Sequence, residues 1–222
     1  NWSNYRRDGM NRHIQDILQL SKLMYEKGMV NAFEGNLSVR TGDGLLITPS
    51  QICKGFLTEE MLVETDMQGK VIKGDRKPSS EILLHLEAYS VRSDIGAVIH
   101  AHSPCATAFA VANKPLKSKA YPEMIVLYSE IPLVKYGTPS TPDICMDLKN
   151  HLCDHDVVLL ANHGIVAVGK DLYDAYFKLE SVESIAKVLL MVKLLGGEYE
   201  LPPEEVDKLH KMGRKSRNTP ST

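Results

Sequence analysis

Apolar side chains fall at Ile14, Ile17, Leu18, Leu20 and Met24, a helical spacing that predicts one helix over residues 11–27, with Gly28 as its stop. "GLLITP" predicts a strand ended by Pro49, and "LVETDMQGKVIKG" a hairpin of two short runs around a glycine-containing turn. "PSSEILLHLEAYSVR" opens a helix with Ser79 or Ser80 as its cap and Ile82, Leu83, Leu86 and Tyr89 on one side. "IGAVIHAH" predicts a strand and "CATAFAVAN" a short helix. "MIVLYS" and "IPLVKYG" are apolar runs of strand length. "TPDICMDLKNHL" has a cap, a proline at the first helical position and a stripe at Ile144, Leu148 and Leu152, the pattern of a helix. "DVVLLANHGIVAVG" predicts two strands meeting at a turn over Asn162–Gly164. Residues 172–195 predict a long helix ended by Gly196–Gly197, and from about residue 212 the chain predicts a loose polar tail. No linker or internal repeat interrupts the pattern. Helices interleaved with strands predict a single α/β domain over residues 1–222, its sheet covered on both faces.

Composition narrows the setting. Hydrophobic residues make up 43% and charged residues 24%, the balance of an ordinary globular chain. The formal net charge of −2 gives no electrostatic footprint for nucleic acid. "NWSNYRRDGMNRH" has no apolar core of a signal peptide, and "IAKVLLMVKLLGG" is broken by Lys187 and Lys193 and too short to span a bilayer. Cys53, Cys105, Cys145 and Cys153 therefore read as reduced thiols of a cytoplasmic protein rather than a disulfide frame.

The chemistry concentrates in "AVIHAHS". Side chains one residue apart on a strand share a face, so His100 and His102 point the same way. They read either as metal ligands or as a solvent-facing pair on a half-exposed strand. A third ligand is offered by His163, in a glycine-containing turn after an apolar strand. Three neutral imidazoles leave a coordination position open, the pattern of a catalytic zinc site. "EGNLSVR", "TPSQ" and "PSSE" add turns whose backbone N–H groups and hydroxyls can cradle a phosphate, or serve only as turn and helix cap.

Together "GNLSVR", "LITPS", "KPSSE", "VIHAHS", "ANHGIVAVG" and the long helix that follows resemble the class II aldolase/adducin family, most closely its fuculose-phosphate aldolase branch. The resemblance covers about residues 11–200. It implies a three-layer α/β/α domain with a mostly antiparallel central sheet, assembled as a homotetramer with active sites at subunit interfaces. It implies a cytoplasmic lyase that cleaves a ketose 1-phosphate, such as L-fuculose 1-phosphate or a 5-deoxypentulose 1-phosphate, to dihydroxyacetone phosphate and an aldehyde. His100, His102 and His163 would hold Zn²⁺, with Mn²⁺ or Co²⁺ as alternatives. Gly35, Asn36, Ser50, Ser79 and Ser80 would hold the phosphate, Glu81 would be the catalytic acid/base, and Tyr121 a catalytic proton donor. Metal and helix N-terminus favour the Glu81 carboxylate, while burial opposes it.

Departures bear on the substrate. Phe33 stands where that branch has a hydroxyl residue, Gln51 where a glycine is common, and no tyrosine follows Tyr199. The same scaffold serves methylthioribulose-phosphate dehydratases, sugar-acid phosphate decarboxylases, 4-epimerases and the non-catalytic adducin domain. The epimerases carry a "DTPTH"-like segment where this chain has "EILLH". Cys145, His151, Cys153 and His155 form a competing metal candidate without the usual CxxC spacing. His85 is expected to pack or hydrogen-bond, His13 and His210 to lie at the surface, and Glu180 and Glu183 to form a solvated or interface face.

Overall fold

The computed structural model describes residues 2–42 and 44–217. Its strands are β1 (Asn36–Thr41), β2 (Gly44–Ile47), β3 (Val63–Asp66), β4 (Val71–Lys73), β5 (Ala97–Ala101), β6 (Leu133–Val134), β7 (Val157–Leu160) and β8 (Gly164–Gly169). Every residue of β5, β7 and β8 is buried. Successive strand side chains point to opposite faces, so such strands need cover on both sides. They lie inside one eight-stranded sheet ordered β4-β3-β2-β1-β5-β8-β7-β6, antiparallel throughout except between β6 and β7.

Helices α1 (Trp2–Glu26), α3 (Pro104–Val111) and α6 (Leu172–Leu194) cover one face, and α2 (Ile82–Val91) and α5 (Leu148–Leu152) the other. Ile17, Leu20 and Met24 of α1 and Leu179 and Val182 of α6 share the first core with Ile99, Leu159 and Ile165. Leu84, Tyr89 and Leu148 share the second with Val98, Val158 and Val166. Neighbouring strand residues thus enter opposite cores, and the domain is the three-layer α/β/α sandwich that the resemblance implied. Each large side chain so buried stabilises the fold by about 1.5–3 kcal/mol. No helix among the described residues is long and apolar enough to cross a membrane.

Several elements differ from their sequence reading. "MIVLYS" is not a strand: α4 (Pro122–Leu127) starts with Pro122 at its first turn, buries Met124 and Ile125, and packs on α7 (Pro203–Arg217). "IPLVKYG" is a strand only at Leu133–Val134, with Ile131 in an isolated bridge to Leu116, and the Lys135 N–H turns to Asp147 Oδ2 at 3.1 Å. The same aspartate interrupts the helix expected across "TPDICMDLKNHL", which divides into a 3₁₀ turn, Pro142–Cys145, and α5. The loose tail expected from about residue 212 is helical through Arg217, as the end of α7; residues 218–222 lie outside the described residues. Neither serine caps α2. Glu81 holds the cap position, and Ser79 Oγ accepts the Glu81 N–H at 3.2 Å.

Glu183 is not a solvated residue. Its carboxylate accepts the N–H groups of Cys105 and Ala106, both at 2.9 Å, at the N-terminus of α3. Glu180 instead meets Lys27 and the Tyr176 hydroxyl. Because α3 begins two residues after His102, the Glu183 contact fixes where "HAHS" leaves the sheet. Charge-assisted bonds of this kind are about twice as strong as neutral ones. Glu183→Ala is expected to destabilise the protein by about 1–3 kcal/mol in urea unfolding, and Glu183→Gln, which keeps one acceptor, by less. Equal stability of all three proteins would show that the α3 terminus does not depend on it.

Candidate metal centre

Strand register builds the site. His100 on β5 stands between Asn36 of β1 and Val166 of β8. His102 follows where β5 ends, and His163 sits in the turn joining β7 to β8. The three rings stack edge to face with centroids 4.6–4.9 Å apart. One nitrogen from each lies within 4.8 Å of the others.

Hydrogen bonds on the outer nitrogens decide what faces inward. His100 Nδ1 donates to the Ile165 carbonyl at 3.0 Å, and His102 Nδ1 lies 3.3 Å from Glu34 Oε1. Both partners only accept, so in the neutral rings each Nδ1 carries the proton and each Nε2 a lone pair. Those two Nε2 atoms face each other at 3.0 Å. Glu81 closes the group: Oε2 is 3.1 Å from His100 Nε2, and Oε1 is 3.2 Å from His163 Nε2. Glu81 Oε1 is buried without a hydrogen-bond partner, as is His163 Nδ1. Lone pairs held this close repel unless something positive sits among them, and the donor set suits a divalent cation.

Two glycines permit this closeness. A Cβ on Gly164 would stand 2.5 Å from the Ala101 carbonyl oxygen and 2.7 Å from His102 Cδ2. Gly35 has φ +77°, and its Cβ would meet Val30 Cγ1 at 2.3 Å. That left-handed residue sets the entry to β1 and thereby places Asn36.

Asn36 is engaged on both sides. Its Nδ2 donates to Glu81 Oε2 at 3.1 Å, and its Oδ1 accepts from His85 Nε2. His85 hydrogen-bonds in the interior, as its helical position suggested. Its Nδ1 meets Ser38 Oγ at 2.7 Å, which meets the Tyr89 hydroxyl at 2.8 Å.

The hydroxyl-rich turns lie together beside Asn36. Pro49 and Pro78 form an isolated bridge, flanked by Ser50 N–H to Lys77 O and Ser79 N–H to Thr48 O, each 3.1 Å. Thr48 Oγ1 accepts the Leu37 N–H at 3.2 Å. Gly35, Asn36, Ser50, Ser79 and Ser80 are thus carried on adjoining segments, with Ser79 buried and Ser80 exposed. Gln51 adopts φ 56°, the left-handed conformation that accounts for a glycine at such a position.

Other residues fall elsewhere. Tyr121 stands at the N-cap of α4, with its N–H on Ser118 Oγ and its ring against the first core. The Cys145–His155 candidate does not assemble. His151 Nε2 meets Asp147 Oδ2 at 3.2 Å, Cys153 Sγ meets the Asn150 carbonyl, and Cys145 packs on the second core. A cleft of about 650 Å³ opens beside the imidazoles, lined by Asn31, Glu34, His102, Thr107, Asn162 and His163 among others. A second cleft, of about 660 Å³, lies at the opposite end of β5 and β7. Its charges neutralise one another through Arg92–Asp156 at 2.8 Å and Lys178–Asp156 at 3.0 Å, so it lacks the unsatisfied donor set of the first. Glu34 is the functional candidate that sequence reasoning missed; its adjacency to Gly35 in "EGN" is the only signal, and pairing with His102 needs the fold.

Burial lowers the His163 pKa to about 4, helped by the neighbouring His100. Burial and His100 also lower His102, against Glu34. Burial lowers His85 to about 3. Neutral imidazole is the form that binds metal. Burial pushes the Glu81 carboxyl up, while protonated His100 and His163 and the Asn36 amide pull it down, below the ordinary carboxylate range.

With this geometry in hand, comparison with known proteins is direct. The family model described as Class II Aldolase and Adducin N-terminal domain matches residues 15–190. An L-fuculose phosphate aldolase of Methanocaldococcus jannaschii is 37% identical over 177 residues, 80% of this chain and 95% of that protein. A 3-oxo-tetronate 4-phosphate decarboxylase of Haemophilus influenzae is 33% identical over 203 residues, 89% of this chain and 96% of that protein. A solved structure titled L-fuculose 1-phosphate aldolase superposes with a TM-score of 0.83 at 33% identity, covering 91% of this chain and 96% of its own.

Gly164→Ala is expected to displace His102 and weaken Zn²⁺ affinity by at least about tenfold, read by titration against a chelator with the far-ultraviolet spectrum retained. Unchanged affinity would show that the close approach does not hold the ligand. A second expectation concerns acid. The folded state refuses the proton at His85 until about pH 3, while the unfolded chain takes it near 6.5, so stability falls as pH drops through that window. Between pH 7 and 5 the wild type should lose about 2 kcal/mol more than His85→Gln in urea unfolding. Parallel losses would mean that His85 is not held neutral.

Proposed function

The chain belongs to the class II aldolase and adducin family, and from that footing we propose that it is a metal-dependent aldolase of sugar phosphates. It reversibly cleaves a ketose or deoxyketose 1-phosphate, such as L-fuculose 1-phosphate or a 5-deoxypentulose 1-phosphate, to dihydroxyacetone phosphate and an aldehyde. The observation that carries this reading is the convergence of three imidazoles and the Glu81 carboxylate beside hydroxyl-rich turns.

His100, His102 and His163 would hold Zn²⁺, which three imidazoles favour over the harder ions, with Mn²⁺ or Co²⁺ as substitutes. The ion supplies Lewis acidity for the negative charge that builds on the ketose fragment as its carbon–carbon bond breaks. Ser50, Ser79, Ser80 and the backbone near Gly35 grip the phosphate. Ser79 Oγ already accepts the Glu81 N–H, and its own proton is left to donate to an anion. The Asn36 side chain is engaged by His85 and Glu81, so it serves the carboxylate more directly than the phosphate. Glu81, held as carboxylate, takes and returns the proton at carbon. Tyr121 packs against the first core, and as proton donor it would serve a neighbouring subunit of a homotetramer with interfacial sites. The four free cysteines accord with a cytoplasmic setting.

Decarboxylation of a sugar-acid phosphate is the second reading, favoured by the Haemophilus relative. The cleft weighs against it. Glu34 lines the wall beside His102, and no Arg or Lys is among the lining residues. A substrate carboxylate there would face a carboxylate, whereas a neutral aldehyde fragment would not. Dehydration, 4-epimerisation and adducin-like binding without turnover have no such observation in their favour.

Release of dihydroxyacetone phosphate from a panel of ketose 1-phosphates by the Zn²⁺-loaded protein tests the proposal. Carbon dioxide or water loss without carbon–carbon cleavage of a ketose phosphate would replace it. His102→Ala is expected to lose both metal and turnover. Glu81→Gln, which keeps an oxygen at the site, should retain metal while kcat falls by about 10²–10⁴-fold. An unaltered kcat would remove Glu81 from the mechanism.

A further inference from the structure

Behind the imidazoles runs a buried chain of polar groups, Tyr89, Ser38, His85 and Asn36, that ends on Glu81. None of the five is more than 9% exposed. The links are Tyr89 Oη to Ser38 Oγ at 2.8 Å, Ser38 Oγ to His85 Nδ1 at 2.7 Å, His85 Nε2 to Asn36 Oδ1, and Asn36 Nδ2 to Glu81 Oε2 at 3.1 Å. β1 contributes Asn36 and Ser38, adjacent positions on one face, while α2 contributes His85 and Tyr89 one helical turn apart.

We propose that His85, as the neutral Nε2–H tautomer, is a positioning residue that holds the Asn36 amide so that its N–H side aims the Glu81 carboxylate at the imidazoles. This rests on the reading of Glu81 as acid/base. The direction of the chain follows from its end. A carboxylate only accepts, so Asn36 must present Nδ2 to Glu81 and Oδ1 to His85. A carbonyl oxygen only accepts, so His85 must carry its proton on Nε2. The bare Nδ1 then accepts the Ser38 hydroxyl, whose oxygen is left to accept from Tyr89. An amide flip would set Oδ1 against the carboxylate and Nδ2–H against the Nε2–H of His85. A change of His85 tautomer would relieve the second contact, but nothing relieves the first, an amide oxygen buried against a carboxylate oxygen. The carboxylate is therefore held at one of its two oxygens by a group that cannot rotate, while Oε1 stays without a hydrogen bond.

The two ring nitrogens can be replaced separately. The amide of Gln places a donor near the position of Nε2, and that of Asn a group near Nδ1. In the Zn²⁺-loaded enzyme, His85→Leu and His85→Asn are expected to lower kcat by about 10–100-fold with KM and metal stoichiometry held, and His85→Gln to recover most of the loss. Full turnover by His85→Leu, or equal loss in His85→Gln and His85→Leu, would overturn the proposal. A readout independent of turnover is the ¹⁵N spectrum of the imidazoles in metal-free wild-type protein at pH 7. The expected result is a protonated Nε2 and a bare Nδ1 for His85; a bare Nε2 or a doubly protonated ring would overturn it. If the wild type cleaves no ketose 1-phosphate, the aldolase reading fails by itself, and the ¹⁵N spectrum still decides the direction of the chain.

Discussion

Lone pairs that point at one another are the constraint on which the rest depends. Two ring nitrogens are tied outward, His100 to a backbone carbonyl and His102 to Glu34, so their second nitrogens turn inward at 3.0 Å. The Glu81 carboxylate completes the enclosure with one oxygen unsatisfied. An arrangement of acceptors without donors is unfavourable in a buried place unless a cation resolves it. A divalent ion held there would relieve that contact.

Holding such a contact requires rigid support, and the strands provide it. Register alone brings Asn36 beside His100, and the tight turn from β7 to β8 returns His163 to the same end of the sheet. The bond of Glu183 to the first N–H groups of α3 prevents the segment after His102 from drifting. Gly164 and Gly35 let backbones approach where any side chain would intrude. Glu183 and Gly164 are given no part in the chemistry, yet each limits where the imidazoles can go.

The electrostatic surroundings then sort the reactions this scaffold can run. Burial favours the neutral, ligating form of His163 and His102, and the Asn36 amide donates to the Glu81 carboxylate. An acidic side chain, Glu34, stands on the wall of the adjoining cleft and would disfavour an anionic fragment there.

The sequence by itself determined what alternation and local chemistry can encode. Two histidines one residue apart on an apolar strand share a face, and a glycine after a third permits a tight turn; both were legible as they stood. So were the strands of the sheet's centre and the long helix stopped by Gly196–Gly197. Short apolar runs were not. "MIVLYS" has no period that separates strand from helix, and Pro122 with its packing on α7 decided for helix. Asp147 divided a predicted helix because its carboxylate found a backbone N–H twelve residues away. Glu34 on His102, Glu183 on α3 and His85 on Asn36 are partnerships across 68, 78 and 49 positions. No local pattern records such pairs, because only the closing of the sheet brings the two atoms within reach.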